Sequence, residues 1–390
     1  MKILYHHRTV SKDGQDVHIG EMVAALRRRG HEVLVAAPPM NQATEFGGGG
    51  GMIARLRQLL PRAVCEGLEL AYSLPAYARL LQAWNSFRPD LIYERYNLHL
   101  LAGLWLRRHS GTPLLLEVNA PLCHERTLHG GLGLHGLARW SEGAVWRAAD
   151  AVLPVTRVLA GHVIAAGVAE DRIQVIPNGV DRARFVADGV TARRELGLEG
   201  RLVLGFSGFL RGWHGLAAAL EVMAELPELP DLHLLVIGDG PARAELEARA
   251  CVLGLKHRLT VLGVVPRERV AGLLAAVDVA LQPSAVDYAS PLKLFEYMAA
   301  GRAVVAPDQP NIREVLTDNE DALLFPPGDL PAFRDAIQRL CRDDALRHRL
   351  GAAARATLDS GGYSWDGNAA RVEALARRLL SAKECLCPMS

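Results

Sequence analysis

Short apolar runs alternate with amphipathic stretches of helical length through the first half of the chain. Residues 3–5 predict a strand, residues 19–26 have the apolar spacing of a helix, and residues 32–37 predict a second strand. Three arginines and a glycine at residues 27–30 end that helix, with cations in its last turn. A strand–helix–strand unit of this kind is typical of a parallel sheet. Further strands are predicted at residues 90–93, 113–118, 151–155 and 172–176.

The alternation restarts after a polar break at residues 177–181 and 188–200. It predicts a second series of strands and then three closing helices. We therefore expect an α/β protein with two Rossmann-like doubly wound domains: 1–182, completed by a C-terminal helix at about 365–382, and 183–364. Two such domains would leave a cleft between the carboxyl ends of their strands as the default site. The second series of strands is predicted at residues 202–206, 232–237, 259–262, 277–281, 303–306 and 322–325.

Composition and charge narrow the class of function. Half of the 390 residues are hydrophobic, which is enough for sizeable cores. The 44 Lys and Arg residues against 43 Asp and Glu leave a net charge of +1, so no overall positive field indicates a nucleic-acid partner. No apolar run approaches the roughly 20 residues that cross a bilayer, and the N-terminus turns polar at His6, too early for a signal peptide. A cytoplasmic protein is expected.

The six cysteines are spread over the chain, which suits reduced thiols better than a disulfide framework. Only Cys385 and Cys387 are close together, and no second pair or nearby histidine has the spacing of a zinc site. We interpret this Cys-x-Cys as part of a tail and expect no metal site.

Two segments do not follow the alternation. The five glycines at residues 47–51 predict either a mobile loop or lid, or a simple linker. Residues 52–84 combine arginines with regularly spaced apolar residues. That pattern fits either a surface that contacts an anionic membrane or core-facing helices with a charged outer side.

The stretch at residues 282–306 runs from a strand through a loop and a helix into the next strand. Ser290 is a suitable N-cap and Pro291 a suitable first residue, so we expect the helix to begin there. Free N–H groups and the helix dipole favour an anion at such an end, and Lys293 adds a full charge in the first turn. Glu296, one turn on, could accept hydrogen bonds from two ribose hydroxyls, or pair with Lys293 at i, i+3.

Two glycine-containing turns of the second domain lie where phosphates commonly bind. In the first of them, Arg211 could hold a diphosphate with its guanidinium fork or remain solvated. In the second, Gly238 and Gly240 lack the third glycine of a dinucleotide fingerprint, with Ala244 beyond them. The second turn is therefore weak support for a dinucleotide site.

Taken in order, these motifs resemble those of the retaining nucleotide-sugar glycosyltransferases of family 4, which have the GT-B fold. The resemblance covers nearly the whole chain and implies two facing Rossmann-like domains, with a nucleotide sugar held mainly by the second and an acceptor by the first. A final helix crossing back to the first domain is also implied. The motifs are the Gly14 loop and residues 29–33, 176–181, 238–241, 283–284 and 290–298.

Several site residues follow from the resemblance. Arg211 and Lys293 are the candidates for holding the diphosphate, Asn119 for contacting a sugar hydroxyl, and Glu296 matches the ribose-binding glutamate of the family. The first three are the candidate catalytic residues. The remaining donor-binding positions are Gly14, Gly208, His214, Asp287, Tyr288, Ser290, Pro291 and Leu292.

Some of these positions depart from the family pattern. Tyr288, with Asp287 beside it, stands where the first of two glutamates is usual, and which of the two takes over its role is open. Phe209 replaces a usual arginine and His214 a usual lysine. Asn119 replaces a histidine often found after the fourth strand, and an amide does not titrate near neutral pH.

The resemblance implies replacement at the anomeric carbon with retained configuration and without a protein nucleophile. Arg211, Lys293, the Gly14 loop and the helix N-terminus at Ser290 would stabilise the charge that grows on the departing diphosphate. No cofactor and no divalent metal are implied, since the nucleotide sugar is itself a substrate. The expected acceptor is a glycan or lipid-linked molecule in surface polysaccharide or glycoconjugate assembly, and contact with the inner face of a membrane is left open.

Two other functions remain as alternatives. A nucleotide-sugar epimerase of the same architecture would need acid and base groups. A degenerate nucleotide-sugar binder that assists a partner enzyme would explain the replaced family positions. An NAD-linked oxidoreductase is disfavoured, because the glycine spacing and the acidic residue about 20 positions on are missing. The candidate acid and base groups of an epimerase are Asp16, His18, Glu94, Glu117 and Glu125.

Overall fold

A computed structural model describes residues 1–9, 14–38, 60–128 and 130–386. The predictions for residues 47–51, for residues 52–59 and for the side chains of the Cys-x-Cys lie outside this described part. The chain divides into two compact units. The first contains Met1–Pro177, Tyr288–Ser290 and Trp365–Ser390, and the second contains Asn178–Asp287 and Pro291–Ser364.

Five parallel strands form the sheet of the first unit in the order β2-β1-β3-β4-β5. β3, β4 and β5 are buried along their whole length, so apolar residues dominate them. The strand order reverses between β1 and β3, which makes the carboxyl ends of these strands the expected ligand position. The strands are β1 Lys2–His6, β2 Glu32–Ala36, β3 Leu91–Arg95, β4 Leu114–Val118 and β5 Ala151–Pro154.

Helices connect these strands, and two expectations about the first unit are wrong. Gly14 is the first described residue of α1, not part of the expected Gly14 loop. Residues 172–176 do not form a strand; Ile173 makes a single bridge to Val152. Pro154 has no N–H group to donate to the Gln174 carbonyl, so the ladder cannot continue. The helices are α1 Gly14–Arg28, α2 Arg62–Ala71, α3 Ser73–Phe87, α4 Ala102–Ser110, α5 Leu122–Leu128, α6 His135–Ala148 and α7 Arg157–Ala165.

Six parallel strands form the sheet of the second unit in the order β11-β10-β9-β6-β7-β8. Successive residues of β6 enter opposite cores: Val203 packs into one hydrophobic cluster and Leu204 into the other. The order reverses between β6 and β9, so the expected ligand position lies at their carboxyl ends. The strands are β6 Leu202–Ser207, β7 Leu232–Ile237, β8 Leu259–Val261, β9 Val279–Leu281, β10 Ala303–Pro307 and β11 Leu323–Phe325.

The helices of the second unit cover both faces of its sheet. Apart from the predicted strand at residues 172–176, every predicted strand is confirmed to within about two residues at each end. Among the described residues, no helix is both long enough and apolar enough to span a bilayer. The helices are α8 Val190–Leu196, α9 Ala217–Ala224, α10 Arg243–Val252, α11 Arg267–Ala275, α12 Leu292–Ala299, α13 Pro310–Arg313, α14 Leu330–Arg342 and α15 Asp344–Ser360.

The last helix, α16 Trp365–Leu386, belongs to the first unit. It packs against α1, where the indole of Trp365 meets the ring of His18 edge-on, with centroids 5.0 Å apart. An ion pair between Arg29 and Glu373, with the charged atoms 2.7 Å apart, flanks this contact. The helix that the sequence predicted near the end of the chain therefore completes the first unit.

Candidate active site

The switch point of the second unit is the place between β6 and β9 where the strand order reverses, and three separate segments meet at it. Gly208 directly follows β6 with a φ of +124°, and a Cβ placed on it would lie 3.5 Å from Lys293 Cε. A Cβ placed on Gly215 would lie 3.4 Å from Ser284 Cβ. The loop after β6, the loop after β9 and the first turn of α12 are therefore neighbours.

The second glycine turn supports the first by close packing. Gly238 has a φ of +147°, and a Cβ on it would collide with the carbonyl of Gly208. A Cβ on Gly240 would collide with the backbone of Leu210. The absence of side chains lets the turn after β7 lie directly against the loop after β6.

Helix α12 begins later than the sequence predicts. Pro291 occupies the cap position with an extended backbone, φ −71° and ψ 116°, and Leu292 is the first helical residue. The expected N-cap at Ser290 is wrong, because the extended ψ of Pro291 keeps this proline out of the helix and makes it the cap residue. Lys293 still lies in the first turn, as expected.

Lys293 is a half-buried cation with an aromatic neighbour. Its Nζ lies 3.9 Å from the ring centroid of Phe206, and no ion pair or hydrogen bond joins Nζ to another described residue. Burial lowers the pKa of the ammonium to about 7, and the nearby Glu296 acts in the opposite direction. A negatively charged ligand at this position would restore the charge.

His214 is buried and neutral. Its Nδ1 accepts a hydrogen bond from the backbone N–H of Arg211 over 3.2 Å, so the ring proton is on Nε2. Burial lowers the pKa of this imidazole to about 2, and the charges of Lys293 and Arg211 contribute. Arg211 itself is exposed, with its guanidinium 5.0 Å from the ring centroid of Phe209. His214 therefore offers a neutral donor where a charged lysine is usual in the family.

Glu296 is half-buried on α12, and burial raises its pKa to about 7, while Arg267 and Lys293 lower it. Within the described residues it forms no ion pair with Lys293 inside 4.0 Å, so the alternative of a simple i, i+3 pair is wrong. The carboxyl group keeps its acceptor capacity for hydroxyl groups.

The loop before α12 divides between the units. Asp287 is exposed and belongs to the second unit, whereas Tyr288 and Ser290 are buried residues of the first. The backbone carbonyl of Tyr288 accepts a hydrogen bond over 2.8 Å from Thr156 Oγ1, which also caps α7.

The first unit has a buried polar network at the carboxyl end of its sheet. Glu117 is 3% exposed and accepts hydrogen bonds from Arg95 (2.5 Å), Asn119 (2.6 Å) and Tyr93 (2.7 Å), and it pairs with His18 Nε2 (2.9 Å). Burial raises the pKa of this carboxyl, but the charges of His18 and Arg95 and the hydrogen bonds hold it well below its usual range. The carboxylate thus fixes the orientation of Asn119.

A second buried carboxylate lies beside this network. Glu94 Oε2 is 2.5 Å from His6 Nδ1, and both side chains are almost fully buried. A Cβ on Gly103 would collide with the Glu94 carboxylate, which therefore lies against the first turn of α4. The positive end of the helix dipole favours a carboxylate at that position.

The sequence-predicted residues thus form two groups. Gly208, Arg211, His214, Lys293 and Glu296 lie at the switch point of the second unit. In the first unit, Asn119 belongs to the network around Glu117, and Gly14 lies at the start of α1. Among the described residues, no group of three or more His, Cys, Asp or Glu side chains has the geometry of a metal site.

Sequence reasoning overlooked several polar residues that hold these groups in place. Arg95 and Tyr93 stand in the apolar strand β3, where the charge of Arg95 at the carboxyl end was the available signal. Gln282, Gln309 and Asn311 carry no such signal, because they lie in loops or at a helix start where polar residues are common.

Comparison with known proteins places the chain in a family. Residues 191–357 match the model of the Glycosyl transferases group 1 family, and residues 13–179 match the Glycosyl transferase 4-like domain. A D-inositol 3-phosphate glycosyltransferase of Xylanimonas cellulosilytica is 30% identical over 92% of this chain and 89% of that protein.

Solved structures share the fold. The sucrose-phosphate synthase of Thermosynechococcus elongatus superposes with a TM-score of 0.80 at 21% identity, covering 98% of this chain and 100% of that one. HepE of Anabaena in complex with UDP-glucose gives a TM-score of 0.74 at 21% identity, with the same coverage. Together with the parallel sheets and the residues gathered at their switch points, these matches show that the chain is a member of the family 4 glycosyltransferases, with the GT-B fold.

Proposed function

We propose that the protein transfers a hexosyl group, with retention of configuration, from a nucleoside diphosphate sugar to a glycan or lipid-linked acceptor. The observation that carries this proposal is the half-buried Lys293, which pairs with no described residue and lies beside Gly208 at the switch point of the second unit. The UDP-glucose in the HepE structure supports a nucleotide sugar as the donor. A role in surface polysaccharide or glycoconjugate assembly on the cytoplasmic side fits the family.

The chemical task in this proposal is to stabilise a leaving diphosphate. Lys293 supplies a charge next to the N-terminus of α12, and Arg211 supplies a second charge from an exposed loop. His214 adds a neutral Nε2–H donor. These groups stabilise the transition state more than the ground state, because charge accumulates on the diphosphate as the glycosidic bond breaks.

The other predicted residues orient the substrates. Glu296 accepts hydrogen bonds from the ribose hydroxyls through its carboxylate. Asn119 presents its Oδ1 to a sugar hydroxyl, since its Nδ2 is held by Glu117. Asp287 contacts the transferred sugar in the role of the missing first glutamate, because it is the exposed one of the two candidates.

The proposed reaction uses no cofactor and no divalent metal, because Lys293 and Arg211 already supply positive charge to the diphosphate. Turnover in excess EDTA should equal turnover in added Mg²⁺, because a metal that stabilised the leaving diphosphate would be removed by the chelator. A loss of activity that Mg²⁺ or Mn²⁺ restores would contradict this part of the proposal.

Contact with an anionic membrane is proposed for α2. This helix buries its carboxylates and exposes apolar side chains, the reverse of an ordinary surface helix. Its two carboxylates point inward: Glu66 accepts hydrogen bonds from the backbone of Gly133 and Leu134 (2.5 and 2.8 Å), and Glu69 from Arg126 (2.7 Å). Apolar side chains of the helix face outward instead. An outward apolar face is typical of helices that lie on a bilayer.

Sedimentation with vesicles tests this contact. Leu68 and Val64 are 58% and 45% exposed, and Leu68→Gln and Val64→Gln should each reduce co-sedimentation with phosphatidylglycerol vesicles several-fold. Val252→Gln removes an apolar side chain that is 76% exposed in the second unit and serves as the matched control. Equal binding by all variants would remove α2 from the contact.

A thermal-shift panel of UDP-, GDP-, ADP- and dTDP-linked sugars tests the central proposal. A ligand that binds the native state raises the unfolding midpoint by mass action, by an amount that grows with the logarithm of its concentration. One donor should stabilise the wild type but not Lys293→Ala. Binding without turnover for any acceptor would favour a degenerate binder, and no binding at all would contradict a donor site.

A further inference from the structure

Three side-chain amides hold one loop of the second unit. Gln282 Nε2 donates to the Ser284 carbonyl, Gln309 Nε2 to the Ala285 carbonyl over 3.2 Å, and Asn311 Nδ2 to the Val286 carbonyl over 3.0 Å. The amides come from the end of β9 and from the start of α13, two separate places in the sequence. Three successive carbonyls are therefore bound in the same manner. We name Gln282, Gln309 and Asn311 the amide clamp.

The amide clamp is built into the core. Gln282 is 2% exposed and Asn311 is 1% exposed. Each amide has only one orientation that donates to its carbonyl, because a flipped amide would place its oxygen against another oxygen. Because these two side chains are buried and fixed in orientation, their hydrogen bonds hold the loop in one position.

The clamp also fixes the opposite side of each peptide group. The carbonyl of one residue and the N–H group of the next share a planar trans peptide and point in opposite directions. The N–H groups of Ala285, Val286 and Asp287 are therefore turned away from the clamp. Within the described residues none of the three donates a hydrogen bond, and all three residues are at least partly exposed. Backbone donors of this kind need water or a ligand as partner.

The structure assigns the amide clamp as a set of positioning residues that keep three consecutive N–H donors aimed at oxygen atoms of the donor substrate. This inference rests on the proposed donor site, because the loop that holds residues 284–287 begins beside Gly215, where Ser284 lies, and precedes the first turn of α12, where Lys293 lies. The clamp itself does not touch the substrate. It acts by making the loop rigid before the ligand arrives, which lowers the ordering cost of binding.

The ligand-free protein gives the first test. NMR order parameters of the Ala285, Val286 and Asp287 N–H groups should be near the rigid value of about 0.85 in the wild type and fall below about 0.6 in Gln309→Ala. Gln338→Ala is the matched control, since Gln338 is a glutamine of the same unit that donates to Glu228 on the surface. Low order parameters in the wild type, or unchanged values in Gln309→Ala, would overturn the assignment.

Calorimetry gives the second test, with UDP and UDP-glucose, GDP and GDP-mannose, and ADP and ADP-glucose as paired probes. For the nucleotide pair that binds, Gln309→Ala should weaken the binding of the intact nucleotide sugar about tenfold more than that of the free nucleotide, if the N–H groups contact sugar hydroxyls. Equal weakening of both would place the donors on the diphosphate. No effect on either ligand would contradict the positioning role.

The two tests separate the clamp from the proposed function. Rigid N–H groups in a wild type that binds neither the six probes nor any other donor of the thermal-shift panel would mean that the clamp exists but the donor site is wrong. Asn311→Ala serves as the second clamp variant, and Gln309→Ala, at a half-buried position, keeps the test valid if Asn311→Ala fails to fold.

Discussion

Asn119 donates its side-chain amide to Glu117 over 2.6 Å, which leaves Asn119 Oδ1 as the group available to a ligand. Glu117 is ionised and can only accept, so the amide cannot turn over. A partner of Asn119 must therefore bring a hydrogen, as a sugar hydroxyl does. The histidine usual after the fourth strand of the family is thus replaced by a neutral acceptor of fixed orientation.

Replacing Asn119 should affect turnover more than folding. Asn119→Ala removes one hydrogen bond at a half-buried position, which costs about 0.5–1.5 kcal/mol of the free energy of unfolding. We expect kcat to fall about a hundredfold, because the orientation of the sugar is lost. Thermal unfolding and initial rates with the donor found in the thermal-shift panel measure both effects.

The charged counterpart, Asn119→Asp, adds a pH readout. Two carboxylates within hydrogen-bonding distance share a proton, so the pKa of the pair rises. Once protonated, the introduced carboxyl group can donate to Glu117 as the amide does, so the activity relative to the wild type should increase as the pH falls from 8 to 5. A constant ratio across this range would mean that the contact with Glu117 does not orient the side chain at this position.

The network around Glu117 should also govern acid stability. The pKa of Glu117 is below its unfolded value, so its stabilisation is complete above the unfolded pKa of about 4.3 and is lost as the pH falls through the folded pKa. Glu117→Gln leaves Arg95 without its partner and should cost about 3–5 kcal/mol at pH 7. The loss of stability between about pH 4 and pH 2 should become shallower than in the wild type.

Glu142→Gln is the control for this experiment. Glu142 accepts hydrogen bonds from Tyr96 and the Cys123 backbone in the same unit, but burial raises its pKa. The Glu142→Gln substitution should therefore not make the loss of stability at acid pH shallower. Urea unfolding at a series of pH values gives the free energy of unfolding of the two variants. If this free energy falls with pH equally in Glu117→Gln and in the wild type, the prediction is contradicted.

These examples show which parts of the molecule a sequence can predict. Strands β3 to β5 are buried on both faces, so their apolar runs predict them correctly. The strand predicted at residues 172–176 does not form, because Pro154 has no N–H group to continue the hydrogen-bond ladder. The place of Lys293 in the first turn of α12 was predictable, because helix-start signals are local. Glu117 and the amide clamp hold their partners across long sequence separations, and no local pattern records such contacts.

Lys293→Ala should lower kcat/KM by about a hundredfold to a thousandfold, as expected for a group that stabilises charge in the transition state. The unfolding midpoint should change little, because the ammonium is paired with no described residue and its burial is unfavourable. Lys256→Ala removes an exposed lysine of the same unit and should leave both quantities unchanged. Comparable losses of stability and activity in Lys293→Ala would make Lys293 a structural residue.

Donor binding should be linked to proton uptake by Lys293. Because burial lowers the pKa of the free ammonium to about 7, the group is mostly neutral at pH 8, and a bound diphosphate favours its charged form. Close to one proton should be taken up at pH 8 and almost none at pH 5.5, so the affinity falls as the pH rises above 7. Calorimetry in two buffers with different heats of ionisation measures this uptake.

The carboxyl of Glu296 titrates in the opposite sense and must be separated from Lys293. Burial raises its pKa to about 7, and ribose hydroxyls favour the carboxylate, so binding releases a proton from Glu296 below pH 7. The uptake by Lys293 is therefore measured in a Glu296→Gln background. If no uptake is measured at pH 8 in that background, Lys293 is not the group that takes up the proton.

The close packing of two glycine turns predicts the last outcome. Gly238 has a φ of +147°, and a Cβ there would collide with the Gly208 carbonyl, so Gly238→Ala should lose about 2–4 kcal/mol of the free energy of unfolding through backbone strain and a forced shift of the loop after β6. Gly272→Ala is the control: Gly272 lies on α11 with no atom within 4 Å of a new Cβ, and the change should stabilise by about 0.5–1 kcal/mol. Urea unfolding measures both values.

Because the loop after β6 borders Lys293, a folded Gly238→Ala protein should also bind the nucleotide sugar at least several-fold more weakly. Unchanged binding would show that the two turns are not coupled.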